Sequence, residues 1–187
     1  NEVYKRTGVR IDIIDGAEEA SIIASTDISS LIQKDKDYLY IDVGGGSTEF
    51  TVFSKGKVKK SRSFPIGTVR LLDNKVSNKT WEEVEHWIKK HTKDCEHIEA
   101  IGSGGNINKI HKNSNSREGE PLSYQYLTDY YNYVSGFTYD ERIRLLGFNP
   151  DRADVILYAL TVFINAMKWS GAEIVHVPRI GLADGIV

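Results

Sequence analysis

The stretch Tyr40-Ile-Asp-Val-Gly-Gly-Gly-Ser-Thr-Glu-Phe50 decides the fold. A β-prone run carries one acid, Asp42, to the edge of a turn made of Gly44, Gly45 and Gly46, and Ser47 and Thr48 lead to a second acid, Glu49. Three glycines remove every Cβ from the turn, so its backbone N–H groups can close on an anion as a nest, and Ser47 and Thr48 can add hydroxyl donors. Strand alternation puts Ile41 and Val43 on one face and Asp42 on the other, and it separates Glu49 from Phe50 in the same way. Two carboxylates then flank the turn, an arrangement that suits Mg²⁺ beside phosphate oxygens. The plainer alternative is a glycine-rich hairpin turn with solvated acids at its ends. The segment is not a Walker A loop, because no Lys follows the glycines and a strand comes next. Nor is it a dinucleotide fingerprint, since Glu49 stands where the last Gly belongs.

Working outward, Tyr38–Val43, Ser47–Phe53 and Lys57–Phe64 read as a three-stranded antiparallel meander. Upstream, Ile11–Ile14 reads as a strand ended by Asp15-Gly16, and apolar spacing from Ala17 to Leu31 predicts a helix over 17–32. Glu18 and Glu19 in its first turn are explained by the helix dipole alone. Downstream, Thr80 with Glu83 has capping-box spacing at the start of a helix that ends near His91. The strand Ile98–Ile101 runs into a second glycine loop, Gly102-Ser103-Gly104-Gly105-Asn106, where exposed amides and a helix dipole again favour an anion. A loop over 113–121 precedes helices at 123–134 and 138–146, a long helix opened by Asn149-Pro150 and running to about Ser170, a strand at 173–177, and a helix starting near 181. Apolar runs alternating with helical periods predict an α/β layered domain.

Composition narrows the function. The 187 residues suffice for one sizeable domain, or one domain and a remnant of another. With 24 Lys+Arg against 26 Asp+Glu, the net charge of −2 supplies no general field for nucleic acid, polyphosphate or an anionic membrane, so any polyanion needs a local site. One cysteine, Cys95, excludes an intrachain disulfide and a Cys-rich zinc cage and points to a reducing, cytoplasmic setting. The most apolar segment, Ala153–Met167, is too short and too interrupted to span a bilayer, no signal peptide is visible at Asn1–Arg10, and the missing initial Met suggests an excised fragment. Lys55, Lys57, Lys59, Lys60 and Arg62 could guide an anionic chain, but Lys on an edge strand is the common guard against aggregation and is preferred here. The tyrosines from Tyr124 to Tyr139 lack interleaved basic residues and read as packing, and the five histidines form no metal motif.

Together, Ile14-Asp-Gly-Ala-Glu-Glu-Ala20, Asp42-Val-Gly-Gly-Gly-Ser-Thr-Glu49, Ser63-Phe-Pro-Ile-Gly-Thr-Val-Arg-Leu71, Ala100-Ile-Gly-Ser-Gly-Gly105, Arg152-Ala-Asp154 and Gly181-Leu-Ala-Asp-Gly185 resemble, in this order, the exopolyphosphatase/guanosine pentaphosphate phosphohydrolase family. The resemblance implies the actin-like, ribonuclease H-like ATPase fold, a mixed sheet with flanking helices, in two lobes around a cleft. On this likeness residues 1–16 end the first lobe and residues 17–187 form the second. It implies Glu19 as the general base for the attacking water, Asp42 and Glu49 as Mg²⁺ ligands, and Gly44, Gly45, Gly46, Ser47 and Thr48 as the terminal-phosphate turn, with Gly102, Ser103, Gly104, Gly105 and Asn106 lining the same cleft. Asn106 stands where members often have Thr, and Ala183-Asp184 where they usually have Arg-Glu. The implied activity is Mg²⁺-dependent release of terminal phosphate from inorganic polyphosphate. Guanosine pentaphosphate is the alternative substrate, a non-catalytic phosphate or nucleotide sensor the alternative class, and an actin-like ATPase or sugar kinase relative a third reading. The fragment alone, lacking the first lobe's phosphate hairpin, is expected to be inactive, and a homodimer is compatible with the likeness. No nucleic-acid or membrane partner is expected.

Overall fold

A computed structural model describes residues 2–10, 31–117 and 119–178. The expected strand at 11–14, the body of the helix over 17–32 and the chain end from 179 lie outside the described residues, and with them Glu19 and the Gly181–Gly185 motif.

After a short helix α1 (Glu2–Thr7), the chain forms β1 (Asp37–Val43), β2 (Thr48–Ser54) and β3 (Lys57–Phe64), the expected meander. Then follow α2 (Thr68–Leu72), α3 (Asn78–Thr92), β4 (Ile98–Ser103), α4 (Gly105–Asn113), β5 (Leu122–Ser123), α5 (Tyr124–Ser135), α6 (Tyr139–Arg144), α7 (Pro150–Ala153), α8 (Ile156–Ser170) and β6 (Ile174–His176). Among the described residues, one six-stranded mixed sheet has the order β3-β2-β1-β4-β6-β5, with β1, β4 and β6 parallel.

Alternation along β1 assigns the two faces. Leu39, Ile41 and Val43 join the main core with Val84, Trp87 and Ile88 of α3, Ile107 and Ile110 of α4, Leu127 of α5 and the apolar side of α8. Phe50, Phe64 and Trp87 meet there with ring centroids 5.9 to 6.5 Å apart, edge and tilted contacts worth about 0.5–1.5 kcal/mol each beyond their area. Tyr38 and Tyr40 face the other way and bury with Phe53 and Ile101. Asp42 and Glu49 continue this second face toward the turn. The lysine-rich β3 is an edge strand with exposed Lys57, Lys59 and Lys60, where charge blocks strand-to-strand association.

Three elements differ from expectation. Helix α3 starts one turn early because Ser77, not Thr80, is its N-cap, the Ser77 hydroxyl accepting from the Thr80 amide at 3.2 Å. The long helix expected from Asn149 is broken at Asp154-Val155 into α7 and α8, where the Arg142 guanidinium donates to the Ala153 carbonyl at 3.1 Å, a carbonyl that a continuous helix would reserve for its own ladder. Strand β5 is only two residues long, and its pairing with β6 depends on a partner remote in sequence.

Candidate active site

The turn between β1 and β2 is anchored by its carbonyls. The Gly44 carbonyl accepts from Thr68 N at 2.9 Å, and the Gly45 carbonyl accepts from Val69 N at 2.9 Å and Arg70 N at 3.3 Å, so the first amides of α2 hold the back of the loop. Gly44 N donates to Ser47 O at 3.0 Å and closes the turn. The approach is so close that a Cβ on Gly67 would lie 2.2 Å from the Gly45 oxygen. Among the described residues, the amides of Gly45, Gly46 and Ser47 have no hydrogen-bond partner, and all three residues are exposed. With the carbonyls turned inward, the loop presents donors outward, as an anion nest requires. Thr48 belongs to the support: fully buried, its hydroxyl donates to the Ile66 carbonyl.

Asp42 and Glu49 are direct cross-strand partners on the same face. Asp42 is half-buried, and its Oδ2 lies 3.5 Å from the Tyr40 hydroxyl. Glu49 is 8% exposed and accepts from Ser61 Oγ of β3 at 3.0 Å, while Ser61 Oγ lies 2.8 Å from Thr51 Oγ1. Burial raises the pKa of Tyr40 most, and the negative charges of Asp42 and Glu49 raise it further. Its phenol therefore remains a donor, and both carboxylates bear on one locus.

The second glycine loop arrives beside the first because β4 runs parallel to β1 with Ser103 in register with Asp42. Gly104 has φ +106°, and a Cβ there would lie 3.1 Å from the Val43 carbonyl and 3.5 Å from Asp42 Oδ1, so glycine serves both the backbone angle and the close approach. Ser103 and Asn106 are buried and Gly105 is exposed. The structure thus brings together Asp42, Gly44–Ser47, Glu49 and Gly102–Asn106.

It adds Arg152. The guanidinium occupies the space a Gly105 side chain would take, with Nη2 2.3 Å from the position of a Cβ, and Nη1 lies 3.4 Å from Asn106 Oδ1. In the sequence Arg152 appears only as part of a family-like tripeptide. It reaches the loop from α7, a short helix that periodicity does not separate from α8.

The model of the Ppx/GppA phosphatase family matches residues 1–187 of the chain that carries these two glycine loops. The chain belongs to this family. A bifunctional 3-dehydroquinate synthase/phosphatase of Fusobacterium nucleatum is 27% identical over 196 residues, covering 94% of this chain and 30% of that protein. Among solved structures, the Ppx/GppA phosphatase of Aquifex aeolicus superposes with TM-score 0.76 at 23% identity, covering 99% of this chain and 67% of its own. An exopolyphosphatase of Cytophaga hutchinsonii gives TM-score 0.79 at 20% identity, with coverages of 99% and 66%. The chain therefore spans 30% of that curated relative and about two thirds of these structural ones, and the shared architecture is the actin-like ATPase fold of the family.

The donor set fits the magnesium ion that the family implies. Among the described residues no group of three or more His, Cys, Asp or Glu is placed to cage a metal. What the site holds is two carboxylates, hard oxygen donors suited to a metal, beside an outward amide nest suited to an anion. Mg²⁺ is suited to one or two carboxylates with substrate oxygens and water completing its octahedron. Like charges opposed across a ladder also repel, and a cation between them offsets that repulsion. No described helix is long and apolar enough to cross a membrane.

Proposed function

We propose that the protein carrying this chain is a Mg²⁺-dependent phosphohydrolase that removes terminal phosphate from inorganic polyphosphate. The observation that carries the reading is the in-register pair Asp42 and Glu49 at the mouth of a loop whose carbonyls are tied back to α2. The names of the similar proteins, phosphatase and exopolyphosphatase, support it.

In this reading the amides of Gly45, Gly46 and Ser47 hold the terminal phosphoryl oxygens, and the Gly102–Asn106 loop with Arg152 holds the next phosphate. Asp42 and Glu49 hold the magnesium ion, which supplies neutralisation of phosphate oxygen charge. Glu19, outside the described residues, takes a proton from the attacking water. That water's oxygen forms a bond to the terminal phosphorus as the bridging P–O bond breaks, and orthophosphate leaves with a polyphosphate shortened by one unit. Such a transfer depends mainly on position and on charge stabilisation, which preorganised amides and a guanidinium provide.

The test is phosphate release by the full-length protein from polyphosphate, guanosine pentaphosphate and ATP, with Mg²⁺ or with EDTA, beside Glu19→Gln. The reading expects release that is fastest from polyphosphate, is lost in EDTA and is lost in the variant while ligand binding persists. Binding without any release would identify a sensor, and preference for ATP would place the protein with nucleotide-using relatives of the fold.

A further inference from the structure

The carboxylate of Glu49 is held from outside its own hairpin. Ser61, in the middle of β3, donates to Glu49 Oε1 at 3.0 Å. Its oxygen lies 2.8 Å from the hydroxyl of Thr51, its register partner on β2. A serine hydroxyl has one proton. With that proton committed to an ionised carboxylate, the Thr51 hydroxyl must be the donor to Ser61, and the chain runs Thr51 to Ser61 to Glu49. Thr51 is fully buried and Glu49 is 8% exposed, so both ends of the relay are shielded from competing water.

The surroundings favour a positioning role over simple satisfaction of a buried acid. Glu49 lies opposite Asp42, and two carboxylates on one face tend to swing apart. A donor on β3 fixes one oxygen of Glu49 and restricts the torsions by which the group could turn away. Asp42 has a comparable neighbour in Tyr40, whose hydroxyl lies 3.5 Å from Oδ2. Each carboxylate is thus approached by a hydroxyl on the same sheet face. Hydroxyls of this kind, which orient metal ligands without touching the metal, typically change metal affinity by about 10–100-fold when removed.

We infer that Ser61 is a positioning residue for the divalent-cation site, with Thr51 acting through it to hold the Glu49 carboxylate in its ligating orientation. The inference rests on the reading of Asp42 and Glu49 as cation ligands. Sequence patterning gives no hint of it, because Ser61 lies within the lysine-rich run of an edge strand.

The test is Mn²⁺ binding to the full-length protein, read by the loss of the free-ion electron paramagnetic resonance signal. It compares wild type with Ser61→Ala, Ser61→Thr, Thr51→Val and the double variant Thr51→Val/Ser61→Ala. The expected result is at least about tenfold weaker Mn²⁺ binding in Ser61→Ala, near wild-type binding in Ser61→Thr, and a loss in Thr51→Val that adds nothing in the Ser61→Ala background. Ser61→Ala with unchanged Mn²⁺ affinity would overturn the inference, as would additive losses in the double variant. Ser61→Thr tests the hydroxyl independently should the Thr51 variants fail to fold. A wild-type protein with no saturable Mn²⁺ binding would remove the cation-site reading itself, and the inference with it.

Discussion

The buried hydroxyl of Thr48 donates to the carbonyl of Ile66, eighteen residues further on, and this bond ties the start of β2 to the segment that enters α2. Beside the bonds of the Gly44 and Gly45 carbonyls, the turn is thus also supported by an interaction that involves none of its glycines. Thr48→Val keeps the shape and removes the donor, leaving a buried carbonyl without this partner. The expected loss is about 1–3 kcal/mol in urea unfolding, and an unchanged midpoint would show that the bond contributes nothing net.

Gly67 should tolerate no side chain. A Cβ there would meet the Gly45 oxygen at 2.2 Å and the Gly46 carbonyl carbon at 2.4 Å, both backbone atoms that no rotamer change can relieve. Its backbone is extended, with φ −117°, so glycine is needed for the approach and not for the angle. Gly67→Ala is expected to cost about 1–3 kcal/mol or more, visible as a lowered Tm. A variant with the wild-type Tm would contradict the clamp between α2 and the loop.

Gly105 makes the opposite case. The three atoms nearest to a methyl there all belong to the far end of Arg152, a flexible side chain that can swing away. Gly105→Ala should therefore leave Tm close to wild type while displacing the guanidinium from the second loop. If Arg152 holds a phosphate, tripolyphosphate binding to the full-length protein should weaken by about tenfold, the value of one charged hydrogen bond. Equal affinity would exclude Arg152 from the phosphate site.

At the opposite end of the parallel strands, Glu99 accepts from Lys36 Nζ at 2.6 Å and pairs with His176 Nε2 at 2.7 Å. Burial pushes the Glu99 carboxyl upward, but the hydrogen bonds from Lys36 and His176 outweigh it and hold the pKa below the ordinary 4.5. A carboxyl held down in the fold adds stability that is complete above its unfolded pKa and is lost as pH falls through the folded one. Between pH 7 and acid, wild type should lose more stability than Glu99→Gln, with the difference developing below pH 4.5. Parallel unfolding curves for the two proteins would contradict this.

The meander was legible because its signals are local: alternation from Tyr38 to Phe64, broken at Gly44–Gly46 and at Lys55-Gly56, fixes the strands and puts Asp42 and Glu49 on one face. The second loop was legible as a loop, but its place beside the first depends on the parallel pairing of β1 with β4, which no local pattern encodes. Thr48 shows a limit of another kind. Its hydroxyl suits a phosphate as well as a carbonyl, and only the fold shows that Ile66 takes it. Ser61 and Arg152 were illegible as site residues because each reaches the site from a separate segment, one on an edge strand and one at a helix break. Thr80 has the chemistry of a cap, but Ser77 offers the same chemistry one turn earlier and takes the position.

In the proposed function, Asp42 and Glu49 act together across the turn to hold a cation on which phosphate release depends. The most direct measurement is phosphate release from polyphosphate by full-length wild type, Asp42→Asn and Glu49→Gln over a range of Mg²⁺ concentrations. The account predicts saturable Mg²⁺ dependence in wild type and a rate at least about 100-fold lower in each variant, the loss of a charged ligand costing some 3 kcal/mol. Release by either variant at the wild-type rate, or wild-type release that persists in EDTA, would contradict it.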